Sequence, residues 1–173
     1  MSYLRYKNDV YDRLWYTRTA LSNSVPINTS DIQNNNDSYQ LPSEVLRTAV
    51  QPSSGYHSLS YSNTELPREI YVCFHFAEIA KLTQGKKREF IIDMNGGRYT
   101  SEPITLDYLK PLSICLNRIF DGGQFNFVIN ATTGSDLPSI LNAFELYVVI
   151  PQFYLHKPTT QEMLLLSWTS NKH

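Results

Sequence analysis

Short segments with alternating apolar and polar residues recur along the chain. In residues 124–130 every second residue is a buried type, from Phe125 through Phe127 to Ile129. A period of two is typical of a strand with one face in a core. Such segments predict strands at 56–62, 69–79, 88–94, 111–118, 124–130 and 142–150. The segment 69–79 is apolar on both faces, so we expect it to be central.

Turn-forming residues separate the predicted strands. They include Glu65-Leu66-Pro67, Asn95-Gly96-Gly97 and Asp121-Gly122-Gly123. One helical turn beginning near Pro42 is expected, followed by a strand through Val50. Many short strands, regular turns and no long helical pattern predict an all-β fold with two antiparallel sheets. We expect the core between them to contain Phe74, Phe76, Phe90, Phe127, Phe144 and Leu146.

Composition narrows the class of protein. With 173 residues and a formal net charge of −1, the chain is long enough for one domain but lacks the positive charge of a nucleic-acid-binding protein. The longest apolar runs are far shorter than a membrane span. Met1 is followed by polar and aromatic residues rather than by a signal peptide. We therefore expect the chain, expressed as given, to be soluble, cytosolic and unglycosylated.

The two cysteines, Cys73 and Cys115, lie in apolar strand segments. We predict buried free thiols, with one bridge between neighbouring strands as the alternative. Four scattered histidines lack metal-ligand spacing, so no metal site is predicted. His75 is expected to be a satisfied, partly buried strand residue.

Enzyme motifs are missing from the sequence, which contains neither a Gly-x-Ser-x-Gly elbow nor a phosphate-binding glycine loop. A carboxylate pair for glycoside hydrolysis could come from Glu78, Glu89, Asp93 or Glu145. We instead predict that Glu78 and Glu145 cap strand ends or pair with arginines, and that the chain is not an enzyme and holds no cofactor. The candidate arginines are Arg13, Arg47 and Arg88.

Aromatic residues in polar surroundings are the candidate ligand contacts, because an aromatic ring beside hydrogen-bonding groups can stack on a sugar or anchor a peptide. They are Tyr56, Tyr61, Tyr99 and Tyr108. A scaffold role for the same residues is an equal alternative. Three Asn-x-Ser/Thr motifs make Asn28, Asn36 and Asn130 candidate glycosylation sites.

Five segments, in this order and spacing, resemble the malectin-like domains of plant leucine-rich-repeat receptor-like kinases. They are Tyr11-Asp12-Arg13-Leu14-Trp15; Leu41-Pro42 with Val45 and Thr48-Ala49; Phe74-His75-Phe76-Ala77-Glu78; Arg88-Glu89-Phe90 with Asn95-Gly96; and Leu137 to Tyr147. The resemblance is to the membrane-proximal of two tandem lobes. It implies a jelly-roll β-sandwich over residues 3–160, followed by a divergent tail at 161–173.

The resemblance also implies a function. We expect a non-catalytic recognition module that binds cell-wall carbohydrate, a peptide or a partner receptor, in a parent family that is extracellular and membrane-anchored. The alternatives are a carbohydrate-active enzyme and a truncated fragment without a ligand. Animal malectin places two sugar-binding aromatics directly after its Phe-Ala-Glu segment, where this chain has Ala80 and Lys81. The resemblance therefore transfers no binding residue.

Overall fold

The computed structural model describes residues 2–17, 21, 23–31, 38–115, 120–148 and 164–169. They form one short helix and twelve strands. The elements are β1 (Ser2–Arg5), β2 (Leu14–Thr17), β3 (Ser24–Asn28), α1 (Ser43–Leu46), β4 (Thr48–Pro52), β5 (Ser58–Phe76), β6 (Glu89–Met94), β7 (Gly97–Arg98), β8 (Ile104–Thr105), β9 (Leu112–Cys115), β10 (Phe120–Ala131), β11 (Ala143–Val148) and β12 (Leu164–Thr169). The helical turn after Pro42 is as predicted. Within these ranges no helix has the length and apolar character needed to cross a membrane.

Ten strands share one continuous sheet with the order β1-β2-β12-β11-β5-β10-β6-β7, to which β8 and β9 add beside β6 and β5. Strands β3 and β4 form a separate two-stranded ladder. The described pairs are antiparallel except β12 with β2. The tail predicted to begin at 161 contributes the backbone of β12, while the predicted boundary at 160 lies outside the described residues.

Strand β5 turns this continuous sheet into a sandwich. Its first half pairs with β10, and its second half pairs with β11 and β9. Tyr61 and Phe74 would lie about 40 Å apart on a straight strand. Both rings nevertheless approach Phe127, with centroid distances of 5.3 and 4.9 Å. The strand therefore bends back on itself, and its two halves belong to opposing layers.

Two of the predicted turns are wrong, because the chain continues through them as bent strands. The segments Glu65-Leu66-Pro67 and Asp121-Gly122-Gly123 lie inside β5 and β10 rather than between strands. The β10–β5 register shifts on both sides of Gly123, whose φ is 102°. Residues with turn chemistry thus mark a β-bulge, which bends a strand without ending it.

The predicted core is confirmed. The six apolar residues expected there are all at most 4% exposed. They are Phe74, Phe76, Phe90, Phe127, Phe144 and Leu146. The central position of the 69–79 segment is also confirmed, since its residues pair on both sides.

The prediction of free thiols is wrong. Cys73 and Cys115 are directly opposite each other in the antiparallel β5–β9 pair and form a disulfide with a Cα–Cα distance of 4.0 Å. The alternative of one bridge between neighbouring strands is therefore the correct interpretation. The bond fixes the edge strand β9 to the central strand.

Candidate functional site

A buried polar network lies on the face of β5 and β11 that points away from the aromatic core. We call it the Arg13 cluster; its members are Asp9, Arg13, Trp15, His75, Glu145 and Tyr147. Arg13 donates from Nε to both oxygens of Asp9, at 3.0 and 2.9 Å, and from Nη1 to Glu145 Oε1 at 3.0 Å. Its Nη2 donates to the Gln40 carbonyl at 3.1 Å. The guanidinium therefore joins the N-terminal turn, strand β11 and the loop before α1.

The local sequence prepares Arg13 for this position. Asp12 has a φ of 53° in the turn before β2, and the Asp9 carboxylate accepts from the Tyr11 amide at 3.1 Å. Asp9 also accepts from the Trp15 indole at 2.8 Å. The guanidinium carbon lies 5.2 Å from the Tyr11 ring centroid and 5.1 Å from the Trp15 ring. These contacts, all within residues 9–15, orient the Arg13 side chain toward its distant partner Glu145.

Electrostatics in the cluster favour the ionised carboxylate. Burial by itself raises the pKa of Glu145, but His75, the Tyr147 hydroxyl and Arg13 together bring that pKa below its usual range. Burial, followed by the neighbouring Glu145 charge, strongly raises the pKa of the Tyr147 hydroxyl, which donates to Glu145. Hydrogen bonds and charge from Asp9 and Glu145 raise the pKa of Arg13 against the effect of its burial. The cluster therefore contains ion pairs of Arg13 with Asp9 and with Glu145.

His75 is fully buried at the edge of this cluster. Its Nδ1 lies 2.8 Å from the Ser113 hydroxyl, and its Nε2 lies 3.7 Å from Glu145 Oε2, without a hydrogen-bond partner. The expected strand histidine is thus more deeply buried and less fully satisfied than predicted. Among the described residues, no group of three or more His, Cys, Asp or Glu side chains could hold a metal ion.

A second buried ion pair joins Glu78 and Arg88. Arg88 Nε donates to Glu78 Oε2 at 2.6 Å, and the same guanidinium donates to the Pro138 carbonyl. Asn142 lies nearby, accepting from the Ala77 amide at 2.8 Å and donating to the Leu46 and Thr48 carbonyls. The predicted pairing of Glu78 and Glu145 with arginines is confirmed for Arg88 and Arg13. Arg47 instead donates to the Asp31 carbonyl.

The two remaining candidate carboxylates also have fixed partners. Glu89 pairs with Lys87 and accepts from Thr132 at 2.6 Å, which lowers its pKa. Asp93 accepts from Arg98 and Asn130, each at 2.9 Å. Glu78, Glu89, Asp93 and Glu145 are therefore all bound to cations or donors.

The four predicted tyrosines do not form one site. The prediction that Tyr61 is exposed beside polar residues is wrong, because its ring is buried and stacked on Phe127. Tyr99 is partly buried against the core, and its hydroxyl reaches the Cys115 carbonyl at 3.4 Å. Tyr56 and Tyr108 are exposed, at 51% and 38%. The strand predicted at 56–62 contains Tyr61, but its polar neighbours Ser60 and Ser62 concealed the buried face.

Tyr108 belongs to a group that we call the Tyr108 surface, formed by the exposed residues Asp31 and Tyr108 and the half-buried Arg47. The Tyr108 hydroxyl donates to the Asp31 carboxylate, which raises the Tyr108 pKa, and Arg47 Nε donates to the Asp31 carbonyl at 3.3 Å. Tyr108 also forms an isolated bridge with Glu78, and the Leu109 amide donates to the Glu78 carbonyl at 2.9 Å. The surface therefore lies beside the segment that leads to Ala80. Sequence reasoning missed Asp31, which lies 77 positions before Tyr108.

The candidate glycosylation sites differ in their surroundings. Asn28 is exposed at the end of β3. Asn130 lies half-buried on the outward face of β10, as its parity predicts, and donates to Asp93. Asn36 lies outside the described residues.

Comparison with protein families identifies the class. The chain matches the family described as "Malectin-like domain" over residues 1–149. It belongs to the malectin-like domain family. The resemblance carried by the five sequence segments is confirmed.

Relatives of this malectin-like domain are plant receptor kinases. It is 35% identical over 164 residues to a probable LRR receptor-like serine/threonine-protein kinase of Arabidopsis thaliana, covering 86% of this chain and 17% of that protein. Among solved structures, the ANX1 ectodomain of Arabidopsis thaliana has a TM-score of 0.67 at 14% identity, with 84% of this chain and 45% of that chain covered. A chain in the structure of the plant peptide RALF23 in complex with FER and LLG2 has a TM-score of 0.62 at 17% identity. That match covers 80% of this chain and 44% of the other. The chain thus spans about a fifth of the receptor kinases that it matches.

The family segments of the malectin-like domain coincide with its buried polar contacts. Arg13 and Trp15 belong to the first segment, and Glu78 and Arg88 to the third and fourth. Glu145, in the fifth, closes the Arg13 cluster. These five residues of the family segments therefore help to hold the fold together. None of them belongs to the Tyr108 surface.

Proposed function

We propose that this malectin-like domain is a non-catalytic recognition module of a receptor ectodomain, and that its Tyr108 surface contacts a peptide or a partner receptor. The observation that carries the proposal is the exposed Tyr108 ring, held by a hydroxyl–carboxylate bond beside Arg47. Tyrosine and arginine are enriched among the residues that dominate the binding energy of protein interfaces. An ordered ring also loses little conformational freedom when it binds.

The state of the carboxylates supports a non-catalytic role. A glycosidase needs one carboxyl group to donate a proton and another to act as base or nucleophile, in an accessible cleft. Glu78 and Glu145 are buried against arginines, with pairing distances of 2.6 and 3.0 Å. An arginine neighbour favours the charged carboxylate and opposes proton donation. These two groups thus suit structural ion pairs better than acid–base chemistry.

The disulfide supports an extracellular setting for the parent protein. Such bonds persist in oxidising compartments and are rare in the cytosol. The Cys73–Cys115 bond connects two strands of the main sheet, so oxidation is compatible with the folded domain. This setting agrees with the receptor-like kinases among its relatives. For the native protein we therefore propose an extracellular setting in place of the expected cytosolic one.

Cell-wall carbohydrate is the second candidate ligand. The bridge between Tyr108 and Glu78 places an aromatic residue beside the segment that leads to Ala80 and Lys81, where animal malectin has its sugar-binding pair. The Tyr108 ring can stack on a sugar while the neighbouring Asp31 carboxylate accepts a hydrogen bond from a sugar hydroxyl. A single such ring provides less stacking area than a pair, which favours the peptide or protein partner.

The proposal is tested with the folded domain and three variants: Tyr108→Ala, Asp31→Ala and, as a matched exposed tyrosine, Tyr56→Ala. Tyr56 follows the Pro52 end of the β3–β4 ladder, whereas Asp31 follows its Asn28 end. The probes are RALF23 peptide, purified LLG2 and an array of cell-wall oligosaccharides. We expect binding to a peptide or protein probe that both surface variants lose and Tyr56→Ala keeps. Binding to an oligosaccharide with the same variant pattern would support the second candidate instead. Binding that survives both surface substitutions, or no binding to any probe, would overturn the proposal.

A further inference from the structure

The β3–β4 ladder has an exposed edge. Strand β3 pairs with β4 from Ser24↔Pro52 to Asn28↔Thr48, and no other described strand lies beside it. Val25 is 38% exposed, and Pro26 is exposed as well. An unpaired strand edge offers backbone groups to another chain and promotes edge-to-edge association. Pro26 has no backbone N–H and therefore removes only one of the donors that the β3 edge could offer.

Asn28 lies at the end of this edge and begins the sequence Asn28-Thr29-Ser30. Its carboxamide makes no hydrogen bond within the described part of the chain, and both Asn28 and Ser30 are exposed. The backbone around it is fixed, because the Thr29 amide donates to the Arg47 carbonyl at 3.0 Å and Thr29 Oγ1 accepts from the Asp31 amide at 3.1 Å. A group attached to the Asn28 side chain would therefore project from a defined position without displacing a contact.

Asn130 provides an internal comparison. Its strand β10 is paired on both sides, with β5 and β6, so no edge is exposed there. Its Nδ2 donates to Asp93, and the hydroxyl of Thr132, the third residue of its motif, donates to Glu89 at 2.6 Å. The two motifs have the same chemistry, but only Asn28 lies on an exposed edge.

We propose that Asn28 carries an N-linked oligosaccharide that covers the β3 edge and keeps the domain monomeric. In the attachment step, Asn28 Nδ2 forms a bond to the anomeric carbon of a lipid-linked oligosaccharide diphosphate. The bond from that carbon to the diphosphate oxygen breaks, the lipid diphosphate leaves, and the carboxamide loses one proton. Asn28 shares a strand face with Pro26, since alternate residues point the same way. A hydrated, branched glycan at this position excludes a second strand from the edge.

The inference rests on the proposed extracellular setting, so the experiment imposes entry into the secretory pathway. The full chain is expressed behind a cleavable signal peptide in a eukaryotic host as wild type, Asn28→Gln, Ser30→Ala, Ser30→Thr and Asn130→Gln. Glycopeptide mass spectrometry identifies the modified residue, and endoglycosidase treatment gives the mobility shift. Sedimentation velocity gives the fraction of monomer.

We expect a glycan at Asn28 in the wild type that is lost in Asn28→Gln and Ser30→Ala and retained in Ser30→Thr. The two variants that lose it should form dimers or larger species at concentrations where the wild type is monomeric. Asn130→Gln should stay monomeric whether or not the wild type carries a glycan there. An unmodified Asn28 in the secreted wild type would overturn the inference, as would monomeric behaviour of both Asn28→Gln and Ser30→Ala. Neither result affects the Tyr108 binding test, because those variants leave the Tyr108 surface intact.

Discussion

The Arg13 cluster and the Tyr108 surface are built from the same kinds of side chain. Each joins an arginine, a carboxylate and a tyrosine, but the Arg13 cluster is buried and the Tyr108 surface is exposed. In the cluster, removal from water makes every missing partner costly. At the surface, water can replace any lost contact. The same chemistry therefore stabilises the fold in one place and is available for binding in the other.

This difference predicts how single substitutions act in the two regions. Removal of Asp9, Arg13 or Glu145 alone would leave a buried charge without one of its partners. Asp31 and Tyr108 can change singly at small cost. Single substitutions should therefore be costly in the cluster and tolerated at the surface.

The largest expected effect is that of Arg13→Ala. Asp9 and Glu145 would remain buried without their cation, which should lower the free energy of unfolding by about 3–5 kcal/mol. Urea denaturation of the secreted domain measures the loss. The control is Arg98→Ala, which breaks a solvent-exposed pair with Asp93 and should cost at most about 1 kcal/mol. Equal stability of the two variants would contradict the distinction between buried and exposed pairs. If Arg13→Ala is not secreted while Arg98→Ala is, the distinction holds.

Removal of the disulfide next to the cluster should have the second-largest effect. Cys73 and Cys115 are 42 positions apart, and joining them restricts the unfolded chain, so Cys73→Ala with Cys115→Ala should cost about 2–4 kcal/mol. Reduced wild-type protein, measured under the same denaturant conditions, should show a comparable loss. A double variant as stable as the oxidised wild type would show that β9 holds its position, and with it Ser113, without the bond.

Substitution of Glu145 by Gln tests the cluster by pH. The Glu145 carboxylate has a lowered pKa in the folded state. Its contribution to the free energy of unfolding is therefore fully present above its ordinary pKa of 4.5 and is lost as the pH falls through the lower folded pKa. At pH 7 the variant should be less stable by about 1–3 kcal/mol, because Arg13 loses a charged acceptor. The difference from wild type should shrink as the medium is acidified from pH 5 to pH 3. The exposed Glu102→Gln serves as the comparison, and a difference between Glu145→Gln and wild type that widens in acid would contradict the assignment.

Tyr108→Ala should have the smallest effect on stability. Its ring is exposed and its partner Asp31 can be solvated, so we expect no measurable change in the urea midpoint. The prediction separates the two regions, because the same variant should abolish binding in the probe experiment. A clear loss of stability would place Tyr108 among the residues that hold the fold.

Much of the sandwich follows from local sequence pattern. The parity of residues 124–130 placed Phe127 in the core and Asn130 outside it, since alternation reports directly on which face is buried. The bend in β5 was not predictable in the same way. Pro67 and Gly123 have the chemistry of turns, and only the pairing of β10 along β5 shows that both strands continue through them.

The candidate sites also divide into features that local sequence predicts and features that depend on long-range pairing. The sequence named Arg13 among three candidate arginine partners of Glu145, because a carboxylate at a strand can pair with an arginine or cap the strand end. The disulfide depended on the register between β5 and β9, which no local pattern around Cys115 determines. The bond between Tyr108 and Asp31 joins two loops that are distant in sequence, and no periodic signal connects loops.

The 132 positions between Arg13 and Glu145 have a consequence for synthesis. At about 5–20 residues per second, the ribosome needs roughly 7 to 26 seconds to reach Glu145 after Arg13 has been made. During that interval Arg13 can meet Asp9 but lacks its second acceptor, and the strand that will cover it does not yet exist. The first family segment therefore acquires its last buried partner from the fifth, and the emerging chain cannot close its sandwich until translation of the domain is almost finished.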